Sequence, residues 1–247
     1  DVVLKNRIAV SPMCQYSAED GIVGSWHLVN LGARAVGGAG LVVAEASAVS
    51  PEGRITPGDA GLWNDAQAEA WAPIAAFVKA QGAVAGIQLA HAGRKASATR
   101  PWEGDSHIDP DDPLAWEILG PSENPFGAKL TRAPKAMSLD DIKRVQGAFA
   151  QAAKRALAAG FEFLELHFAH GYLGQSFFSP LANRRTDRYG GDFEGRARFL
   201  VETFEAVRAV WPERLPLAVR LGVTDFVEGE QAIEDSIALV HRLRASG

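Results

Sequence analysis

The chain has 247 residues, 47% hydrophobic and 22% charged, with a formal net charge of −5 and Lys and Arg scattered along it. That is the composition of a folded protein with a sizeable core, and it offers no basic stripe for a nucleic-acid backbone. No apolar run approaches the roughly 18 to 20 residues that cross a bilayer, the first residues carry no secretory pattern, and the single cysteine excludes an intrachain disulfide framework or an all-cysteine metal site, so a cytoplasmic, membrane-free setting is expected.

Apolar runs of strand length alternate with stretches of helical period, the pattern of βα units around a parallel sheet covered on both faces. The first strand is predicted over 8–13 and runs into Ser11, Pro12, Met13 and Cys14, with Tyr16 just beyond. A helix near 26–37 leads to a second strand over 40–49 that carries Glu45, Ala46 and Ser47. The next helix, 65–81, contains Pro73, which removes a hydrogen bond and predicts a kink or a late start. The third strand, 83–92, holds Gln88 and His91.

Residues 94–137 are dense in Pro, Gly, Asp and Ser and far exceed the handful usual in a βα connection. They are expected to form a long loop insertion over one end of the sheet. Ser138 and Asp141 then form a capping box for a helix over 138–159, whose apolar face is Ile142, Val145, Phe149 and Ala153 and whose stop is Gly160. The fourth strand, 161–168, ends beside His167, His170 and Tyr172. A charged run, residues 183–199, reads as scaffolding into a helix over 193–210; a fifth strand over 215–223 contains Arg220, and a last helix covers 231–246.

No linker divides the chain, so 1–247 is expected to be one domain. A complete TIM (β/α)8 barrel takes about 250 residues, yet only five βα units can be drawn, because one loop consumes so much sequence. The expectation is a C-terminally incomplete barrel that ends on a helix stop at Gly247, with open edges prone to association.

Polar residues at the C-terminal ends of parallel strands are where such folds place chemistry. On a continuing strand His167 and His170 would face opposite ways; they share a pocket only if the strand ends near Phe168 and the chain bends at Gly171. The alternative is that each caps its own backbone. Arg220 in "LAVRLGV" needs an anion, either a ligand or an ion pair with Glu45 or Glu165. Cys14 alone is an ordinary buried thiol. His91, His167, His170 and Glu45 together could instead ligate a metal, the basis of an alternative reading as a metal-dependent hydrolase. A non-catalytic barrel fragment is a further alternative.

The segments "NRIAVSPMCQY", "EASAVSPEGRI", "GIQLAHAGRKA", "RPWEG", "ELHFAHGYLGQSFFSP", "NRRTDRYGG" and "VRLGV" occur in that order across essentially the whole chain. Together they resemble the Old Yellow Enzyme family of FMN-dependent ene-reductases, in the xenobiotic reductase-like bacterial branch that carries a cysteine beside the flavin. The resemblance implies FMN as cofactor, NAD(P)H as reductant, an enone or nitro compound as substrate, and a homo-oligomer. It implies that Ser11, Pro12, Met13 and Cys14 line the flavin, that Ala46 offers backbone to its ring, and that Gln88 and Arg220 bind its pyrimidine side. His167 and His170 would hold the substrate carbonyl, Tyr172 would deliver a proton, Tyr16 would close the pocket, and no metal is required. Two departures stand out. The family's phosphate site follows strands seven and eight, so this segment alone is expected to bind FMN poorly, and Gly195 replaces an expected asparagine in the scaffold.

Overall fold

The computed structural model describes residues 2–226 and 232–247. In chain order the elements are β1 (Ala9–Val10), α1 (Ser25–Val36), β2 (Leu41–Ala48), α2 (Asp65–Ala80), β3 (Val84–Ala90), β4 (Leu119–Gly120), β5 (Lys135–Ala136), α3 (Leu139–Ala158), β6 (Phe163–Phe168), α4 (Leu173–Phe178), α5 (Phe193–Arg208), β7 (Leu217–Leu221) and α6 (Ile233–Ala245). The main sheet runs β1-β2-β3-β6-β7, and every pairing in it is parallel. This is the expected parallel half-barrel, with each strand of the sheet beside its predecessor in that series.

Paired residues in a parallel ladder share a face, so register separates the two sides of the sheet. Val42, Ala44, Ile87, Leu89, Leu164 and Leu166 belong to the large core beneath the helices. The opposite, inner side begins with a smaller apolar floor of Leu41, Val43 and Val84, against which Phe163 and Val2 pack. Above that floor the inner side turns small and polar. One layer holds Ala46, Gln88, Glu165 and Ala218; two residues further along, Ala48 pairs with Ala90 and His167 with Arg220.

Several local expectations hold for the reasons given. Ser138 Oγ accepts the Asp141 N–H and the Asp141 carboxylate accepts the Ser138 N–H, each at 3.0 Å. Ile142, Val145, Phe149 and Ala153 are all buried, and Gly160 adopts the left-handed φ of +90° that ends α3. The charged run is scaffold: Asn183 Nδ2 donates to the carbonyls of Phe177 and Tyr189, and the buried Tyr189 hydroxyl donates to Glu202. A Cβ at Gly195 would collide with the Gly190 carbonyl oxygen, so glycine suits this turn.

Others need correction. The strand predicted over 8–13 is only Ala9–Val10, because it has β2 alone as a ladder partner and Pro12 cannot donate to a ladder. Pro73 neither delays nor ends α2: the helix begins at Asp65, where Asn64 and Gln67 form a capping box, and continues to Ala80. The six-residue α4 was not foreseen. Residue 231, the predicted start of the last helix, lies outside the described residues; α6 begins at Ile233.

The 94–137 connection is folded. It contains 3-10 turns at Gly93–Lys95 and Pro101–Glu103 and the short β4·β5 ladder. Arg94, itself buried, fastens it: Nε donates to Ser176 Oγ on α4 at 3.2 Å, and Nη1 donates to the Asn124 and Pro125 carbonyls.

Candidate active site

β6 ends at Phe168, and two successive residues with positive φ, His170 at +58° and Gly171 at +73°, turn the chain into α4. Histidine tolerates this region better than most side chains, and glycine enters it without penalty. The bend brings the two imidazoles together: their ring centroids are 5.0 Å apart and nearly perpendicular, and Tyr172 lies 4.9 Å from His167. The two rings therefore lie side by side at the strand end. His167 Nδ1 accepts the Ala169 N–H at 3.3 Å, which assigns its proton to Nε2.

Burial, reinforced by His170, Arg220 and Lys95, lowers His167 to about 3. Burial followed by Arg220 and Lys95 also lowers His170. Both rings are neutral N–H donors at ordinary pH. Burial, with Cys14, Tyr16, Asp59 and Asp105 adding to it, holds the Tyr172 hydroxyl well above the usual phenol range, so it stays protonated.

Lys95, to which the sequence reading assigned no role, belongs to this group. Its Nζ lies 4.8 Å from the Tyr172 ring and donates to the His170 carbonyl at 3.3 Å. Burial lowers its pKa. The signal was present in "HAGRK", directly after the third strand, but only the fold of the following turn aims it inward.

Gln88 is 2% exposed and its Nε2 donates to Glu165 Oε1 at 2.6 Å. This fixes the amide and leaves its carbonyl oxygen to a ligand. The Arg220 ion pair offered as an alternative is not formed: Glu165 is engaged by Gln88, Glu45 lies beside His27 with Oε2 3.6 Å from Nε2, and among the described residues no acidic group lies within ion-pair distance of Arg220. A half-buried guanidinium with no counter-ion among the described residues favours an anionic or electron-rich ligand.

Behind β1 the chain is extended. Ser11 and Met13 are exposed, Pro12 and Cys14 half-buried, and Cys14 neighbours the Tyr16 side chain, whose hydroxyl burial and Cys14 both hold well above its ordinary value. Tyr16 itself has φ of +52° and lies edge-on to Trp102 at 5.9 Å, while Arg100 Nε donates to its carbonyl at 3.0 Å. Non-glycine residues with positive φ thus occur at two expected site positions, Tyr16 and His170, the kind of local strain that functional pockets retain.

The metal reading fails on geometry. Among the described residues no three His, Cys, Asp or Glu side chains converge as ligands. His91 turns its Nδ1 to the Gly93 N–H at 3.1 Å, and Glu45 is spent on Gln15 and His27.

The inner face fits an isoalloxazine: a shelf of Ala46, Ala48 and Ala90 is flanked by a fixed amide, an uncompensated cation and neutral N–H donors. The fold is a five-stranded parallel βα sheet with polar groups gathered at its strand ends, and the comparisons supply its family. The NADH:flavin oxidoreductase / NADH oxidase family model matches residues 1–246. An NADPH dehydrogenase of Geobacillus sp. (strain WCH70) is 44% identical over 248 residues, covering 100% of this chain and 67% of that protein. An NADH:flavin oxidoreductase of Gibberella zeae is 43% identical over 236 residues, 95% of this chain and 57% of its own length. Among solved structures, morphinone reductase aligns with a TM-score of 0.83 and 32% identity over 99% of this chain and 66% of its own, and the Old Yellow Enzyme of Pichia sp. AKU4542 with 0.79 and 27% over 98% and 62%.

The chain belongs to the NADH:flavin oxidoreductase / NADH oxidase family, the Old Yellow Enzyme family, whose cofactor is FMN with NAD(P)H as reductant. It spans between roughly half and two thirds of the length of these relatives.

Proposed function

We propose that this chain carries the flavin-ring and substrate sites of an oxidoreductase that reduces the activated C=C bond of α,β-unsaturated carbonyl or nitro compounds. The observation that supports it most is the convergence of the His167, His170 and Tyr172 rings, with Arg220 paired to His167 across the sheet. When bound, FMN reduced by NAD(P)H supplies the hydride. The residues do the rest.

Ala46, Gln88 and Arg220 would hold the ring from the inner face, with Cys14 and its neighbours Ser11, Pro12 and Met13 beside it. Gln88, pinned by Glu165, turns its carbonyl oxygen outward, and Arg220 offers positive charge where reduction accumulates negative charge. His167 Nε2–H and the His170 imidazole bind the substrate's carbonyl or nitro oxygen as uncharged donors and draw electron density from the distant alkene carbon. Tyr172, still protonated, is the acid for the other alkene carbon. Tyr16 and the 94–137 connection, which brings Lys95 and Trp102 to the mouth, roof the pocket and limit water.

The test is optical. The protein loaded with FMN should be yellow, bleach with NAD(P)H under anaerobic conditions and regain colour on addition of an enone. A full-length protein that is bleached but never recovers with any activated alkene overturns the substrate assignment, and a full-length protein that takes up no FMN favours the non-catalytic reading.

A further inference from the structure

Val43 and Ala46 both face the inner side of β2 although they are three positions apart, because the pairing with β3 slips by one between Ala44 and Ala46. A bulge of this kind leaves one residue outside the strand's alternation. That residue is Glu45. Its carboxyl, 2% exposed, lies under the segment that follows β1, where Oε1 accepts the Gln15 N–H at 3.0 Å. The next backbone N–H along the strand, that of Ala46, lies on the Cys14 side and partly offsets the upward pressure on its thiol. On the other side Oε2 lies 3.6 Å from Nε2 of the wholly buried His27, whose ring is fixed by accepting the Gly24 N–H on Nδ1 at 3.2 Å.

We propose that Glu45 is the positioning residue of Cys14: the bulge turns its carboxyl under the segment after β1, where it clamps the N–H of Gln15, the residue that follows Cys14. The titratable groups around the carboxyl are His27 from α1, Cys14 from the segment after β1 and Asp59 from the β2–α2 connection, with Arg54 facing Asp59 from that same connection. Burial pushes Glu45 up to about 8 against the Gln15 N–H. Burial, then Asp59 and Glu45, pushes the Cys14 thiol well above its ordinary value. Cys14 is thereby kept as an S–H hydrogen-bond donor and not as a nucleophile. The catalytic use of that donor rests on the function proposed above; its placement does not.

Cys14 is the one cysteine of the chain, so alkylation by iodoacetamide reads it alone. Glu45→Gln keeps an acceptor for the Gln15 N–H and removes the charge. Its alkylation at about pH 9 should rise about threefold to tenfold over the unsubstituted protein, with the whole rate–pH profile moved to lower pH. A purely structural Glu45 leaves the two profiles superimposed, which overturns the proposal. Infrared spectroscopy of the unsubstituted protein keeps the test independent of the variant's folding. A protonated-carboxyl band at neutral pH should vanish near pH 8 to 9, and the S–H band should shift over the same range; an S–H band indifferent to that titration overturns the clamp. Neither measurement needs flavin, so failure to bind FMN would strike the proposed function and leave this result standing.

Discussion

Tyr172 sits at the N-cap of α4 with its ring against His167 and beneath the Lys95 ammonium. Replacing it by Phe preserves that packing and deletes only the O–H. Tyr172→Phe is therefore expected to leave flavin reduction by NAD(P)H unchanged and to slow reoxidation by an enone about 100-fold, within the usual worth of one general acid; stopped-flow measurement of the two half-reactions checks this. Equal slowing of both halves would show that Tyr172 acts through packing.

At this scale the sequence was informative where a polar residue interrupted an apolar run, as with Gln88, His167 and Arg220. It was silent where a side chain's aim depends on another element. Glu165 holds Gln88 only because β3 and β6 pair in this register, Lys95 points inward only because Gly93–Lys95 closes a 3-10 turn, and Glu45 leaves the strand face only because the ladder slips at Ala44.

Among the elements, α4 is the one that the pocket depends on most and the one that patterning could not find. Six residues, LGQSFF, are all buried, so no polar face marks a helical period. The longer helices declare themselves by caps and one-sided apolar faces, as α3 does. α4 is seated through Gly93, whose φ is +58° and whose Cβ, were it present, would lie 2.8 Å from Leu173 Cα and 2.9 Å from its N. Gly93→Ala combines a left-handed penalty with a backbone collision and should cost upwards of about 1 kcal/mol, lowering Tm by several degrees and weakening FMN retention. A melt indistinguishable from that of the unsubstituted protein would mean that the turn and α4 are not rigidly joined.

For the whole molecule, the sequence carried the βα alternation and the chain order of the sheet. It did not carry the length of β1, which depends on ladder partners and not on local propensity. The same sheet also buries titratable groups whose opposing preferences set how stability varies with pH. His91 and His167, lowered by burial to about 4 and about 3, stay neutral in the fold but take up a proton when unfolded below about 6.5. They cost stability as pH falls through that window, because the unfolded chain then binds more protons. Asp59 and Glu45, raised by burial to about 6 and about 8, do the reverse: the fold keeps protons that the unfolded chain releases above about 4. Between about pH 4.5 and 6 these two histidines, together with His27, His107 and His170, which burial also lowers, oppose the two carboxyls. Above about 7.5 the histidines are nearly all neutral in both states and Asp59 is ionised in both. Glu45 then dominates among the described residues, and stability should fall by about 0.5 to 1 kcal/mol as pH rises from about 7.5 to 8.5. Urea midpoints measured across that range should decline in the unsubstituted protein and stay level in Glu45→Gln; a decline of equal size in both would assign the alkaline loss to some group other than the buried bulge carboxyl.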